Sequence, residues 1–213
     1  MRTDKTCLII SGGDFSPLPP DLPPFDYVIA CDRGYKYALR FGLVPDRIIG
    51  DFDSSSQPNT EISVDVHPVM KDDTDTMLAV RHALEKGFGQ ICICCALGGR
   101  LDHAFANIQS IAFAAEAGAV ARICSEDTRI TVFPGGCLTF PRRDGWSFSC
   151  FALSDACTGL SIQGAKFPCE GLDITNRFPI GVSNVWVGEE IRISCNTGIL
   201  MVIESKLRSG EHI

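Results

Sequence analysis

The 213-residue chain carries a net charge of -7, so a nucleic acid is not an expected partner, because its phosphates call for a basic protein surface. The sequence contains no run of about 18 apolar residues, the length that a membrane-spanning helix requires. The apolar run near the N-terminus, Cys7–Ile10, is too short for a secretory signal. We therefore expect a cytoplasmic protein.

In chain order, short apolar runs alternate with helical patterns up to about residue 125. The runs that predict strands are Thr6–Ser11, Tyr27–Cys31, Arg47–Gly50 and Ile91–Leu97, and the stretches that predict helices are Tyr35–Phe41, Thr76–Lys86 and His103–Ala117. A glycine follows each predicted helix, as is typical of C-terminal caps with positive φ. The alternation favours an α/β domain with a mostly parallel, Rossmann-like sheet over residues 1–125.

After Ser125 the helical periodicity gives way to short β-prone runs separated by Gly, Pro, Asn and Asp. These runs are Arg129–Phe133, Trp146–Ala152, Val185–Val187, Glu190–Cys195 and Ile199–Glu204. Such a pattern is typical of antiparallel sandwiches and barrels. It predicts a smaller all-β domain over residues 126–213.

The eleven cysteines raise the question of disulfides or a zinc site, but their spacing favours neither. Cys92, Cys94 and Cys95 lie in one apolar run, where alternate side chains of a buried strand face opposite sides of the sheet. Zinc sites instead use C-x-x-C pairs. We expect buried, reduced thiols that pack as small apolar side chains.

Three acidic clusters stand out in the predicted α/β domain. They are Gly50–Ser54 with Asp51 and Asp53, Lys71–Asp75 with Asp72, Asp73 and Asp75, and Gly98–His103 with Asp102. Magnesium prefers oxygen ligands and usually binds one or two carboxylates together with substrate phosphates. Open parallel sheets bind their ligands beyond the carboxyl ends of the strands. The clusters therefore predict a site for a magnesium–nucleotide complex.

Each cluster also has a purely structural interpretation. An aspartate of the second cluster could cap the helix that begins near Thr76, because aspartate is a preferred N-cap residue. Asp51 and Asp53 could lie in a solvated turn. However, one helix needs only one cap, and two neighbouring carboxylates repel each other unless a cation or solvent intervenes.

The sequence contains neither a P-loop nor a G-x-G-x-x-G fingerprint, the two commonest nucleotide cradles. Backbone N–H groups near Gly12-Gly13 and Gly98-Gly99 could bind phosphates instead, the second pair at a helix N-terminus whose dipole favours an anion. Arg100 adds a guanidinium that can donate two hydrogen bonds to one phosphate. A Gly-Gly pair by itself would also fit an ordinary tight turn.

Together these motifs resemble the thiamine pyrophosphokinase (thiamine diphosphokinase) family along nearly the whole chain. The matching segments are Ala30–Gly34, Pro45–Ser54, Lys71–Asp75, Gly98–His103 with Asn107, Gly164–Pro168 and Gly181–Asn184. The acidic motifs are specific, whereas the last two segments are short and count mainly because they occur in the family's order. Two positions depart from the family pattern: Arg33 replaces a glycine, and Val185 replaces the glutamate of many bacterial relatives.

The resemblance implies that a diphosphoryl group is transferred from ATP to the hydroxyl of thiamine, which releases AMP. It implies magnesium bound by Asp51, Asp53 and Asp75, and catalytic roles for Asp53, Asp73, Asp75 and Arg100, with the general base left open. The residues implied in nucleotide binding are Gly12, Gly13, Asp32, Arg33, Lys71, Asp72, Thr74, Gly98, Gly99, Arg100 and Asp102.

The resemblance also implies a homodimer in which the β domain of one subunit helps to cover the site of the other. The residues implied in thiamine binding are Asp102, Phe167, Ser183, Asn184 and Trp186. Trp186 fits a position in the core of the β domain at least equally well.

The residues are compatible with three alternative functions. Ile48–Ser55 approaches the nucleophile motif of haloacid-dehalogenase-type phosphatases, but the Gly-Asp pair which that fold needs later in the chain is absent after residue 53. A pyrophosphokinase acting on a pterin alcohol would share the fold, and a non-catalytic nucleotide-binding module would bind ATP without transfer. Thiamine-dependent release of AMP separates all of them.

Overall fold

The computed structural model describes residues 2–50, 62–66, 73–211 and 213. The chain forms two compact units, residues 1–126 and 127–213. Over the described residues, no helix is both long enough and apolar enough to cross a membrane.

The first unit alternates strands and helices. Its elements are β1 (Thr3–Ile10), β2 (Tyr27–Cys31), α1 (Gly34–Arg40), β3 (Arg47–Gly50), β4 (Ser63–Val66), α2 (Asp75–Glu85), β5 (Phe88–Cys94), α3 (Leu101–Glu116) and β6 (Val120–Cys124). The strands lie in the order β6-β5-β1-β2-β3-β4, and each neighbouring pair is parallel. The predicted mixed α/β fold with a mostly parallel sheet is confirmed, although the sequence patterns did not indicate β4 or β6.

The central strands of this sheet are buried on both faces, as expected of a parallel sheet covered by helices and connections. Cys7–Ile10 of β1 is inaccessible to solvent. Leu18, Leu22 and Phe25, from the segment between β1 and β2, pack with α1 against one face of the sheet. Cys92, Cys94 and Cys95 are buried, as predicted, whereas Cys137 is exposed and Cys169 is half-buried. The eleven cysteines, all among the described residues, are free thiols.

The helix ends follow local rules that the sequence displays. The three glycines predicted as C-terminal caps have positive φ angles, 71° at Gly42, 85° at Gly87 and 84° at Gly118. Helix α2 begins at Asp75, one residue before the predicted start, and its N-cap is Thr74, whose hydroxyl accepts a hydrogen bond from the Met77 N–H at 3.1 Å. Because threonine supplies the cap, neither Asp73 nor Asp75 is needed for that purpose.

The second unit consists of antiparallel strands. They are β7 (Thr128–Pro141), β8 (Trp146–Ala152), β9 (Ala156–Gln163), β10 (Cys169–Thr175) and β11 (Glu190–Lys206). Strand β11 pairs with β7, β8 and β9, and β9 pairs with β10. The two runs predicted after Glu190 are one strand with an irregularity between Cys195 and Ile199.

The prediction of a strand at Val185–Val187 is wrong. Trp186 forms only an isolated bridge with Ala165, because the flanking backbone bonds, Lys166 N–H to the Val185 carbonyl and Val187 N–H to the Gly164 carbonyl, do not extend into a longer ladder. A short apolar run is therefore not sufficient for a strand. It also needs a partner strand of matching length.

Candidate active site

A cavity of about 550 Å³ lies in the first unit, where three parallel strands end. The strand register pairs Ile10 of β1 with Ala30 of β2 and with Cys94 of β5. The residues that follow these strands therefore emerge side by side at the carboxyl edge of the sheet, the usual ligand position in open α/β folds. The predicted site residues that line this cavity are Gly12, Gly13, Asp32, Arg33, Thr74, Asp75, Gly98, Gly99 and Arg100.

The turn after β1 is held close to the end of β5. Ser11 N–H donates to the Cys94 carbonyl at 2.9 Å, and Gly13 N–H donates to the Cys95 carbonyl at 2.8 Å. A Cβ atom at Gly13 would lie 2.5 Å from the Cys95 carbonyl oxygen, closer than any ordinary contact. Only glycine therefore fits at residue 13 while this turn stays in place.

The second glycine pair forms the connection from β5 to α3. Gly98 and Gly99 have φ angles of 90° and 63°, a region that glycine adopts readily. A Cβ at Gly98 would lie 2.6 Å from a carboxylate oxygen of Asp14, so this acidic side chain packs directly on the loop. Helix α3 begins at Leu101 and its N-cap residue, Arg100, makes no capping hydrogen bond, although the His103 N–H donates to the Asp102 carboxylate at 3.0 Å. The positive end of the helix dipole lies beside the cavity.

Two residues beside the cavity have backbone angles that are unusual for side chains other than glycine. Asp32 has φ 46° and Cys95 has φ 56°. Such conformations cost free energy and tend to cluster at functional sites. Asp32 is held there in part by its N–H, which donates to the Ile49 carbonyl at 2.9 Å.

The first turn of α2 brings Asp75 to the cavity. The carbonyl of Asp75 accepts a hydrogen bond from the Cys31 thiol at 3.6 Å. The hydroxyls of Ser11 and Thr76, both buried, lie 2.8 Å apart and join the end of β1 to the same turn. Asp73, by contrast, forms an ion pair with Arg81 at 2.9 Å and is not among the described residues that line the cavity.

Arg100 and Asp102 form a two-pronged ion pair at the start of α3. The Arg100 Nη2 and Nε atoms lie 2.5 Å and 3.1 Å from the two carboxylate oxygens of Asp102. This hydrogen bonding lowers the pKa of Asp102 below its ordinary value, so Asp102 is ionised at neutral pH. Both side chains are well exposed, at 72% and 63%. Arg100 lines the cavity, whereas Asp102 does not.

Four predicted site residues, Asp51, Asp53, Lys71 and Asp72, lie outside the described residues. Within the described ranges, no group of three or more His, Cys, Asp or Glu side chains forms a metal-binding cluster. Of the aspartates in the three acidic clusters, the structure therefore describes Asp73, Asp75 and Asp102.

In the second unit, Asn184 is a buried structural link. Its side-chain oxygen accepts hydrogen bonds from the N–H groups of Phe167 and Val185, both at 3.0 Å, and its amide nitrogen donates to the Phe167 carbonyl at 2.8 Å. Ser183, the preceding residue, is exposed, with φ 61°, and its N–H donates to the Ser149 hydroxyl at 3.1 Å. Asn184 thus positions the neighbouring Ser183 and Phe167.

The two aromatic side chains predicted to contact thiamine differ in exposure. Trp186 is buried, with its Nε1–H donating to the Phe140 carbonyl at 3.2 Å and its ring 5.0 Å from that of Phe148. Phe167 is 56% exposed. Trp186 is therefore a core side chain of this unit, the alternative already suggested by the sequence, and Phe167 is the aromatic surface that a ligand can reach.

Sequence patterns did not indicate Ser11, Asp14 or Thr76, which also line the cavity. Asp14 could have been predicted as a site residue, because it directly follows a Gly-Gly pair at the end of a strand. The contact between Ser11 and Thr76 joins residues that are 65 positions apart, so no local pattern could have shown it.

The fold defines an α/β protein with a cavity at the carboxyl edge of a parallel sheet, lined by glycine turns and polar side chains. Residues 22–121 match the family model described as "Thiamin pyrophosphokinase, catalytic domain". The thiamine pyrophosphokinase of Bacillus subtilis (strain 168) is 30% identical over 212 residues, which cover 94% of this chain and 99% of that protein. The chain belongs to the thiamine pyrophosphokinase family.

Solved structures agree with this assignment. The crystal structure of thiamine pyrophosphokinase from Bacillus subtilis superimposes with a TM-score of 0.83 at 28% identity and covers 95% of this chain and 99% of that one. The structure of the thiamin pyrophosphokinase from Geobacillus thermodenitrificans superimposes with a TM-score of 0.81 at 28% identity. The match covers 96% of this chain and 99% of that one. The resemblance inferred from the motifs is confirmed, and the protein is an enzyme of this type.

Proposed function

We propose that the protein transfers the diphosphoryl group of ATP to the hydroxyl group of thiamine, giving thiamine diphosphate and AMP. The observation that carries this proposal is the match to a thiamine pyrophosphokinase over 94% of the chain. The cavity supports it, because glycine turns, a helix N-terminus and an arginine converge there, and all of these bind phosphate oxygens.

Phosphate binding would use Arg100 together with main-chain N–H groups of the glycine turns other than that of Gly13, which donates to the Cys95 carbonyl. Arg100 is paired with Asp102 in this structure, so it would exchange a carboxylate for a phosphate when the nucleotide binds. A solvent-exposed ion pair of this kind contributes little free energy, so breaking it to bind a phosphate costs little. Before the nucleotide binds, Asp102 would hold the Arg100 guanidinium beside the cavity.

The described carboxylates at the cavity fit a magnesium ion. Asp32 and Asp75 both line it, and magnesium commonly binds one or two carboxylates with phosphate oxygens completing its shell. We propose Asp75 as a ligand, together with Asp51 and Asp53, which lie outside the described residues. Bound magnesium would neutralise charge on the transferring phosphates.

The chain's own groups would contribute mainly by positioning. The thiamine hydroxyl must approach the β-phosphorus in line with the departing AMP, and transfer of this kind depends mostly on alignment and electrostatic stabilisation. Of the two aspartates proposed to orient the hydroxyl, we favour Asp75, because Asp73 is engaged by Arg81. We also propose a catalytic role for Asp53, which lies outside the described residues.

For the second unit we propose thiamine binding and dimerisation by a small antiparallel sandwich or barrel. It exposes several large apolar side chains, at 68% for Phe178, 53% for Ile180, 51% for Val182 and 65% for Val187. Groups of exposed apolar side chains are typical of interaction surfaces. In a homodimer, this surface of one subunit would help to cover the active site of the other.

Phe167 is the aromatic side chain proposed to face the positively charged thiazolium of thiamine. The Lys166 ammonium lies 5.4 Å from the centroid of the Phe167 ring, where it already makes a cation–π contact. A thiamine cation would therefore use the opposite face of the ring.

The free thiols of all eleven cysteines favour a reducing, cytoplasmic location.

Replacing Ser183 by alanine is expected to raise the thiamine concentration needed for half-maximal rate by about 3- to 10-fold, because one hydrogen bond to the substrate is lost. Alanine and serine tolerate φ 61° about equally poorly, so the change isolates the hydroxyl. Steady-state kinetics with each substrate varied in turn measures the effect, with Ser205→Ala in β11 as the serine control. A change confined to the ATP requirement would remove Ser183 from the thiamine pocket.

The reaction itself is tested by phosphorus NMR of the purified protein with ATP, magnesium and thiamine. We expect AMP and thiamine diphosphate in equal amounts, and no AMP when thiamine is omitted. Formation of ADP or free phosphate would instead indicate a monophosphoryl kinase or a phosphatase. Transfer only to a pterin alcohol, or ATP binding without turnover, would replace thiamine diphosphokinase by one of the two alternatives.

A further inference from the structure

Arg33, which stands where the family commonly has glycine, does not simply point its charge at the cavity. Its Nε donates to the Gly12 carbonyl at 2.5 Å and its Nη2 donates to the Gly13 carbonyl at 3.1 Å. Both acceptors belong to the turn after β1. The guanidinium thus clamps two successive peptide carbonyls of the glycine turn, although the residue itself follows β2.

Tyr37, one turn further along α1, acts on the same turn. Its hydroxyl donates to the Gly13 carbonyl at 3.1 Å, so this oxygen accepts bonds from two side chains. The Arg33 guanidinium also lies 6.0 Å from the centre of the Tyr37 ring. Arg33 and Tyr37 therefore form one unit that holds the glycine turn from the α1 side.

These bonds determine where the peptide N–H groups of the turn point. In a planar trans peptide the C=O and the following N–H point in opposite directions, and the described chain contains no cis peptide bond. With the Gly12 carbonyl directed to Arg33, the Gly13 N–H is directed to the Cys95 carbonyl, as observed. The Gly13 carbonyl is directed to Arg33 and Tyr37, so the Asp14 N–H points away from α1.

We propose that Arg33 is a positioning residue, which sets nucleotide affinity by holding the Gly12-Gly13 turn in its phosphate-binding conformation rather than by touching the phosphates. This inference rests on the proposed function, since it assigns the turn to ATP. A guanidinium suits the task because its planar fork offers Nε and Nη2 donors at a spacing that spans two carbonyls. Lysine, with a single ammonium, cannot reproduce that geometry.

The experiment is calorimetric titration of the full-length protein with ATP and magnesium, without thiamine. The variants are Arg33→Met, Arg33→Lys, Tyr37→Phe and the Arg33→Met/Tyr37→Phe double variant. Lys36→Met, an exposed residue of α1, is the control for loss of one positive charge on the same helix. Thermal unfolding of each variant verifies that it is folded.

We expect Arg33→Met to weaken ATP binding roughly 10-fold and Tyr37→Phe about 3-fold, from the hydrogen bonds lost. Arg33→Lys should be as weak as Arg33→Met, and Lys36→Met should bind like the unmodified protein. The double variant should lose less than the product of the two single losses, because residues that act on one element are not additive.

A direct phosphate contact by Arg33 predicts different results. Lysine would then restore most of the affinity, since it binds phosphate as a point charge, and the Arg33 and Tyr37 losses would multiply. Either result would overturn the inference, as would unchanged affinity in Arg33→Met. Failure of the proposed function is recognised separately, because the unmodified protein would then bind no ATP or release no AMP with thiamine.

Discussion

Replacing Asp75 by asparagine should reduce diphosphoryl transfer by about 100-fold or more, on the scale of losing one preorganised electrostatic contact to the transition state. Asp75 is the first residue of α2 and lines the cavity. Asparagine keeps its shape but removes the negative charge that a magnesium ligand needs. The effect on stability should be small, about 0.3 to 1 kcal/mol from the lost charge at the helix N-terminus.

The rate of AMP formation, measured at saturating ATP and thiamine, tests this expectation. Glu85→Gln, at the exposed opposite end of α2, is the matched loss of one carboxylate and should leave the rate near that of the unmodified protein. Asp73→Asn is the second comparison and should have the smaller effect of the two aspartate variants. Full turnover by Asp75→Asn would exclude Asp75 from the site.

Replacing Gly13 by alanine should also cause a large loss, at least about 10-fold in ATP affinity, because positioning of the phosphates depends on the turn after β1. The new Cβ would lie 2.5 Å from the Cys95 carbonyl oxygen, and that atom is main chain, so it cannot swing away. The turn must move, and the bond from Gly13 N–H to Cys95 is lost.

Gly12→Ala is the comparison for this prediction. Its Cβ would lie 3.6 Å from the nearest atoms, the Arg33 Cγ and the Cys31 carbonyl oxygen, which is an ordinary contact. Titration with ATP and magnesium should therefore show a much smaller loss for Gly12→Ala than for Gly13→Ala. Equal behaviour of the two variants would mean that the close approach to β5 does not control nucleotide binding.

The local features of this fold are readable from the sequence because they depend on neighbouring residues. The three helices and the glycines that end them follow from apolar spacing and from the ability of glycine to adopt positive φ. The first-unit strands with strong apolar runs, such as Tyr27–Cys31, coincide with the observed element. Strand β4, a short edge strand of only four residues, and the more polar β9 and β10 lack such a run and were not predicted.

The candidate site likewise combines features that the sequence shows with features that only the structure shows. The glycine pairs, Asp32, Asp75 and Arg100 were predicted from motifs, because each motif is a continuous segment that follows a strand or opens a helix. That these segments line one cavity depends on the strand register, which sequence spacing does not contain. The sequence also did not show what individual side chains contact. Asp73 pairs with Arg81, and Trp186 packs in the core of the second unit.

The sequence by itself determined the family, the alternation of strands and helices, and the residue types available for binding phosphate and a divalent cation. Only the tertiary structure decided what those residues contact. The clamp of Arg33 on Gly12 and Gly13 spans about twenty positions, and the contact of Ser11 with Thr76 spans 65. Such contacts arise because parallel strands distant in sequence end at one edge of a sheet, where their loops meet.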